Sequence, residues 1–172
     1  EDDFDYATQS LADTSWVPND SAKIRVNITN DNLAFDCDRD GSNDSIAYDL
    51  GAGNVSDTKW TLRYKLTIGT ITNGGAPASG AFIGLSSLNQ ANADATFQDS
   101  ISLNIYNTSS TYTFKASAGS DEAMPEQQVT FTTTPSITTY YIEMIRDGTD
   151  YSCKIYSDEY TTLTETRSLT LA

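Results

Sequence analysis

An all-β fold, a two-sheet antiparallel β-sandwich of the jelly-roll type, is what this sequence predicts. Three observations point there. Apolar side chains recur at every second position in one short segment after another, as strands with one buried face require. Runs of Gly, Asn, Asp, Ser and Pro separate these segments. No stretch sustains a helical period, and only Tyr6–Thr14 reads as helical, through Ala7, Leu11 and Ala12. Roughly a dozen short strands and no long helix lead to a sandwich or jelly roll.

The first strand spans Lys23–Thr29, with Ile24, Val26 and Ile28 on one face. Leu33-Ala34-Phe35 and Ile46-Ala47-Tyr48 flank an acidic loop. Thr58–Ile68 is the cleanest strand. Trp60, Leu62, Tyr64, Leu66 and Ile68 form its core face, with Lys59, Thr61, Arg63, Lys65 and Thr67 on the solvated one. Ile101, Leu103 and Ile105 alternate next. Tyr112, Phe114 and Ala116 follow the turn at Asn107–Ser110, and Val129 and Phe131 form a shorter run. Tyr140, Ile142 and Met144 interleave with Tyr141, Glu143 and Ile145, which leaves the buried face open between the two sets. Arg146–Asp150 carries a hairpin signal around Gly148. Tyr151, Cys153 and Ile155 continue beyond it, and Arg167–Leu171 reads as a last strand. Thr72–Ser79, Ser86–Gln98 and Ala118–Glu126 read as loops. Without an internal repeat or linker, residues 1–172 form a single domain.

The charge balance limits function. Ten Lys and Arg against 24 Asp and Glu give a net charge of −14. Such a field repels nucleic acid and anionic membranes. It also disfavours anionic polysaccharides unless Lys and Arg cluster locally. The absence of histidine removes Ser-His-Asp and Cys-His catalysis and every histidine-based metal site. Cys37 and Cys153 are too few for a thiolate zinc centre, and are either a disulfide or two buried thiols. No segment approaches the ~20 apolar residues of a membrane helix, so no membrane insertion is expected. The start at Glu1-Asp2-Asp3-Phe4 suits an excised domain or mature product.

One loop points to a metal. Asp36, Asp38, Asp40 and Asp44 stand at relative positions 1, 3, 5 and 9, with Gly41 at position 6. Ca²⁺ takes roughly six to eight oxygens, and this spacing wraps carboxylates onto one point. Ser42 is placed to add its backbone carbonyl. Position 12, a bidentate Glu in an EF-hand, is Ala47 here, with Asp49 two residues beyond. The alternative is an acidic hairpin turn.

Four stretches resemble the concanavalin A-like lectin/glucanase superfamily: Trp60–Leu66, Gly80–Ser86, Tyr141–Gly148 and Tyr151–Asp158. Within it the chain is most similar to laminin-G-like and related carbohydrate-binding modules. The resemblance implies two antiparallel sheets, one of them concave, and often a structural calcium. It places ligands on the concave face or the rim loops. Members include lectins, carbohydrate-binding modules, adhesive domains, glucanases and polysaccharide lyases, among which fold does not choose.

The superfamily's glucanases carry Glu-x-Asp-x-Glu or Glu-x-Asp-x-x-Glu on one strand, and neither spacing occurs here. Glu143 and Asp147 are four apart, with Asp147 assigned to a turn. Glu122 and Glu126 flank Pro125, and the adjacent Asp158 and Glu159 face opposite ways on a strand. Tyr151–Tyr156 resembles the tyrosine-bearing strand of jelly-roll alginate lyases, whose histidine is missing. Non-catalytic binding is therefore expected. Aromatic faces and amide or carboxylate groups recognise sugars. Trp16, in a loop-like context, is either a sugar platform or a plug at the sandwich end. Tyr48 and Tyr106 fall out of phase with their apolar neighbours, and Asn73 lies in the flexible run Thr72–Gly75. The expectation is a calcium-stabilised carbohydrate-binding module of a larger secreted, cell-surface or virus-borne protein. It acts as an extracellular monomer on a neutral or weakly charged glycan. The alternative is a structural or adhesive laminin-G-like surface domain that binds protein or no small ligand.

Overall fold

The computed structural model describes residues 4–18, 24–35, 46–51, 53–56, 58–69, 78–86, 100–107, 111–120 and 123–170. Among these the chain is all-β apart from one short helix, and its strands form several antiparallel sheets. Helix α1 (Gln9–Ser15) starts where the Thr8 hydroxyl accepts a hydrogen bond from the Leu11 amide. Strand β1 (Trp16–Pro18) follows at once and pairs with β4 (Ile46–Tyr48). Strand β2 (Ile24–Asn27) pairs with β3 (Asn32–Phe35). Trp16 thus lies in a strand rather than a loop.

Two four-stranded sheets make the body. One has the order β12 (Leu163–Thr170), β11 (Asp150–Tyr156), β10 (Thr139–Asp147), β5 (Lys59–Thr67). The other has the order β6 (Ala78–Ser86), β7 (Ser100–Asn107), β8 (Tyr112–Ser120), β9 (Ala123–Thr130). The chain leaves the first sheet after β5, builds the whole second sheet, and returns as β10 beside β5. Leu66, Tyr140, Ile142, Met144, Tyr151, Cys153 and Ile155 of the first sheet share one core with Ile101, Leu103, Phe114, Ala116 and Ala118 of the second. Each such large apolar side chain contributes about 1.5–3 kcal/mol on burial. Across this core the Tyr151 hydroxyl donates to the Ser102 carbonyl at 3.2 Å. Phe114 meets Tyr140 edge-on at 5.2 Å.

The expected face of Thr58–Ile68 holds: Trp60, Leu62, Tyr64 and Ile68 pack on the core around buried Leu66. For Tyr140–Ile145 the buried set is Tyr140, Ile142 and Met144. Three expectations are corrected. Strand β2 stops at Asn27, because the Asn27 carboxamide accepts from the Thr29 and Asn30 amides and bends the chain before Ile28 can extend it. Residues 118–120 and 123–126 belong to strands rather than a loop; β9 is an edge strand, where Pro125 is tolerated. The last strand begins at Leu163, because the Asp158-capped turn ends there. The β10–β11 hairpin has the expected tight loop: Gly148 takes φ +65° ahead of Thr149, as a type II′ turn needs.

Cys153 is a free thiol within the core, its pKa pushed up to about 12 by burial. Cys37 lies outside the described residues.

Candidate functional site on the outward sheet face

The strand register of the first sheet sets two adjacent rows of side chains across its outward face. In one row Arg63, Glu143 and Lys154 are aligned on β5, β10 and β11. In the next row the aligned residues are Lys65, Tyr141 and Tyr156. Directly opposed side chains sit about 4.5–5.5 Å apart at Cβ, so each row is a continuous contact surface.

Glu143 is the centre. It lies on the outward register, yet it is only 4% exposed. Arg63 Nε donates to Oε1 at 2.7 Å, while Lys154 Nζ at 2.8 Å and the Tyr156 hydroxyl at 3.1 Å donate to Oε2. Burial by itself would raise this carboxyl's pKa. The hydrogen bonds from Lys154, Arg63 and Tyr156 outweigh it and hold the group below its ordinary value. Burial and the bond to Glu143 push the Tyr156 phenol up. The Glu143 bond also raises Lys154. At neutral pH the cluster is therefore one carboxylate, two cations and a protonated phenol.

A third tyrosine arrives from the β11–β12 turn. Asp158 organises that turn: its Oδ1 accepts from the Thr161 amide at 3.1 Å, the Thr161 hydroxyl at 2.8 Å and the Thr162 amide at 2.7 Å. Its Oδ2 accepts from the Thr162 hydroxyl. These bonds, that of the Thr162 hydroxyl foremost, bring Asp158 down to about 2. The turn holds Tyr160 at φ +63°, a left-handed conformation that costs a non-glycine residue about 1–3 kcal/mol. The Tyr160 ring thereby sits over Arg63, 5.1 Å from its guanidinium carbon. It meets Tyr141 edge-on at 5.6 Å and Tyr156 at 5.7 Å. Three half-buried phenol rings and an exposed guanidinium thus converge, offering apolar ring faces beside hydrogen-bond donors.

The residues singled out from sequence fall elsewhere. Trp16 and Tyr48 are brought together, aligned across β1 and β4 with ring centroids 5.1 Å apart. Phe4 packs on Trp16 from 5.4 Å, so Trp16 is half-buried between two rings, while Tyr48 is 41% exposed. Tyr106 stands apart on β7, with the Lys115 ammonium 3.9 Å from its ring centroid, so that face already has an occupant. Asn73, and the calcium-loop residues Asp36, Asp38, Asp40, Ser42 and Asp44, lie outside the described residues. Among the described residues no three acidic or thiol side chains converge as a metal site, and no helix is long and apolar enough to cross a membrane. Asp147 ends β10 on the same outward register as Glu143, rather than sitting in the turn. The tyrosine cluster had a partial signal in the sequence: Tyr141 and Glu143 alternate with the core set, as do Lys154 and Tyr156 with theirs. Tyr160 had none.

No protein-family model, curated protein or solved structure matches the chain.

Proposed function

We propose that the chain is a non-catalytic glycan-binding module of concanavalin A-like jelly-roll form, part of a larger secreted, cell-surface or virus-borne protein. Its site is the outward face around Tyr141, Tyr156 and Tyr160. The observation that carries this is the convergence of these three rings on the Arg63–Glu143–Lys154 row. Pyranose rings offer apolar C–H faces for aromatic rings and hydroxyls for the donors between them. Binding without catalysis fits the same geometry. Glu143 is ionised and saturated with donors, so it has no proton to give as a general acid. The other carboxylate on its strand face, Asp147, is four residues along. That is roughly 13 Å at strand rise, beyond the ~5–9.5 Å over which paired carboxylates act on a glycosidic bond.

A structural or adhesive role is the second reading. The edge of the same face towards β12 is a flat field of hydroxyls, Ser152, Thr166 and Ser168, without aromatic side chains. Calcium in the Asp36–Asp44 loop and extracellular location as a monomer complete the proposal. The calcium part predicts that EDTA lowers Tm and that Ca²⁺ restores it, since a ligand of the native state alone stabilises by mass action.

A glycan array followed by calorimetry tests the function. A single short oligosaccharide should bind near Kd ~10⁻⁴ M, about −5.5 kcal/mol, as a shallow face allows. Tyr141→Ala should remove that binding while the fold persists. A blank array in the presence of calcium, with binding to matrix proteins instead, would establish the adhesive alternative.

A further inference from the structure

We propose that Asp158 is the positioning residue of this site, acting through Tyr160, whose ring it holds in place for the glycan. The proposal rests on the glycan-binding reading above and assigns the contact that the β11–β12 turn supplies to it. Strand β11 is flanked by two left-handed residues, Gly148 at φ +65° before it and Tyr160 at φ +63° after it. Glycine takes this conformation at no steric cost, whereas a tyrosine is strained in it. At Gly148 a Cβ would meet no neighbour within 4 Å, so nothing there calls for a side chain. At Tyr160 a ring is kept in spite of the strain, and it is not part of the shared core. Its ring neighbours are Arg63, Tyr141 and Tyr156, all on the outward face. A glycine would close this turn with less strain; what it would remove is the ring.

The cause of the strained backbone is local. The Ser157 amide donates to the Thr162 carbonyl at 3.1 Å and closes the turn, and within it the Tyr160 amide donates to the Asp158 carbonyl at 2.6 Å. The Asp158 carboxylate accepts four hydrogen bonds, all from amide and hydroxyl groups of Thr161 and Thr162. These bonds bracket Tyr160 and fix its backbone. Among the described residues the carboxylate bonds to nothing on the sheet face, so it reaches that face only through the tyrosine ring. A ring fixed beforehand beside Arg63, Tyr141 and Tyr156 loses less freedom when a sugar settles against it than a ring on a mobile turn would.

The test takes the oligosaccharide that the wild-type chain binds most strongly on the glycan array. It is titrated into Tyr160→Ala, Tyr160→Gly, Asp158→Ala, Asp158→Asn and the Asp158→Ala/Tyr160→Ala double variant. Tyr160→Ala and Tyr160→Gly lose the same ring and should weaken binding alike, about 3- to 10-fold, the scale of one aromatic contact. Only glycine relieves the backbone, so the urea midpoint of Tyr160→Gly should lie above that of Tyr160→Ala. Asp158→Ala keeps the ring but frees the turn, and should weaken binding about 2- to 10-fold, the ordering cost of one side chain. Asp158→Asn retains an acceptor for the Thr161 and Thr162 amides and should recover most of that loss. In the double variant Asp158→Ala should add nothing to Tyr160→Ala, as two residues acting through one contact require. If the two losses add in full, or if the Asp158→Ala or Tyr160 variants bind as the wild type does, glycan binding stands and the positioning role is overturned. If the wild-type chain binds no array glycan, both are overturned.

Discussion

The two faces of the β12–β11–β10–β5 sheet bury neighbouring residues in opposite ways. Ile142 points inward and is 0% exposed; Glu143, the next residue, points outward and is 4% exposed. Ile142 is covered by apolar side chains from two sheets. Glu143 is covered by its own hydrogen-bond partners, a guanidinium, an ammonium and a phenol. Inward burial is driven by removal of apolar surface from water and specifies little beyond volume. Outward burial of a charge is tolerated only when every lone pair is satisfied, so it specifies geometry. A strand can thus build the core with one set of residues and a hydrogen-bonded polar surface with the alternate set.

The largest expected effect lies inward. Ile142→Ala should cost about 2–5 kcal/mol, through lost burial and the cavity left behind. It should appear as a lower urea midpoint with an unchanged slope. A cost under ~1 kcal/mol would mean that the two sheets do not depend on a shared core.

Outward, Glu143→Ala should cost about 1–3 kcal/mol, since it leaves two cations and a phenol without their acceptor. Arg63 is mostly exposed and can turn to water, which places the value towards the lower end. A loss equal to that of Ile142→Ala in the same assay would erase the distinction between the faces.

The smallest effect sharpens the comparison through pH. Glu143 lies below its ordinary pKa. So do Asp158 and Glu165, each at about 2. For Glu165 burial opposes the shift, but the Thr132 and Thr133 amides outweigh it. A folded-state pKa below the unfolded value stabilises above the unfolded value, ~4, and that contribution is lost as pH falls through the folded one. Tm should therefore be level down to about pH 5 and fall below it. Glu143→Gln and Glu165→Gln should each flatten the acid limb. The core thiol of Cys153 acts at the other end: raised to about 12, it stabilises below its unfolded value, ~8.5, and loses that contribution only as pH rises beyond it. An acid limb unchanged in Glu143→Gln would show that this carboxylate does not report the outward network.

The legibility of each face follows from how local its cause is. The inward set of β5 was readable because alternation over nine residues has a period of two and needs no partner. Tyr140–Ile145 was not resolvable, because both registers carry large side chains and the outward one hides a buried glutamate. Tyr160 was unreadable, since its placement depends on a left-handed backbone set by Asp158 and two threonines. Trp16 and Tyr48, chosen as separate candidates, turn out to be cross-strand neighbours, which a loop assignment for Trp16 concealed.

By itself the sequence determined the all-β class, the apolar face of β5, the Gly148 hairpin, the acidic net charge and the exclusion of histidine chemistry. These depend on periodicity, on single-residue conformational preference and on composition. Tertiary structure alone decided that Arg63 meets Glu143, 80 residues away, that Glu143 also meets Lys154 and Tyr156, and that Tyr160 packs on Arg63, Tyr141 and Tyr156. That pairing follows from the return of β10 to β5 after a whole sheet has been built between them. Its register is held by the shared core rather than by any local signal along either strand.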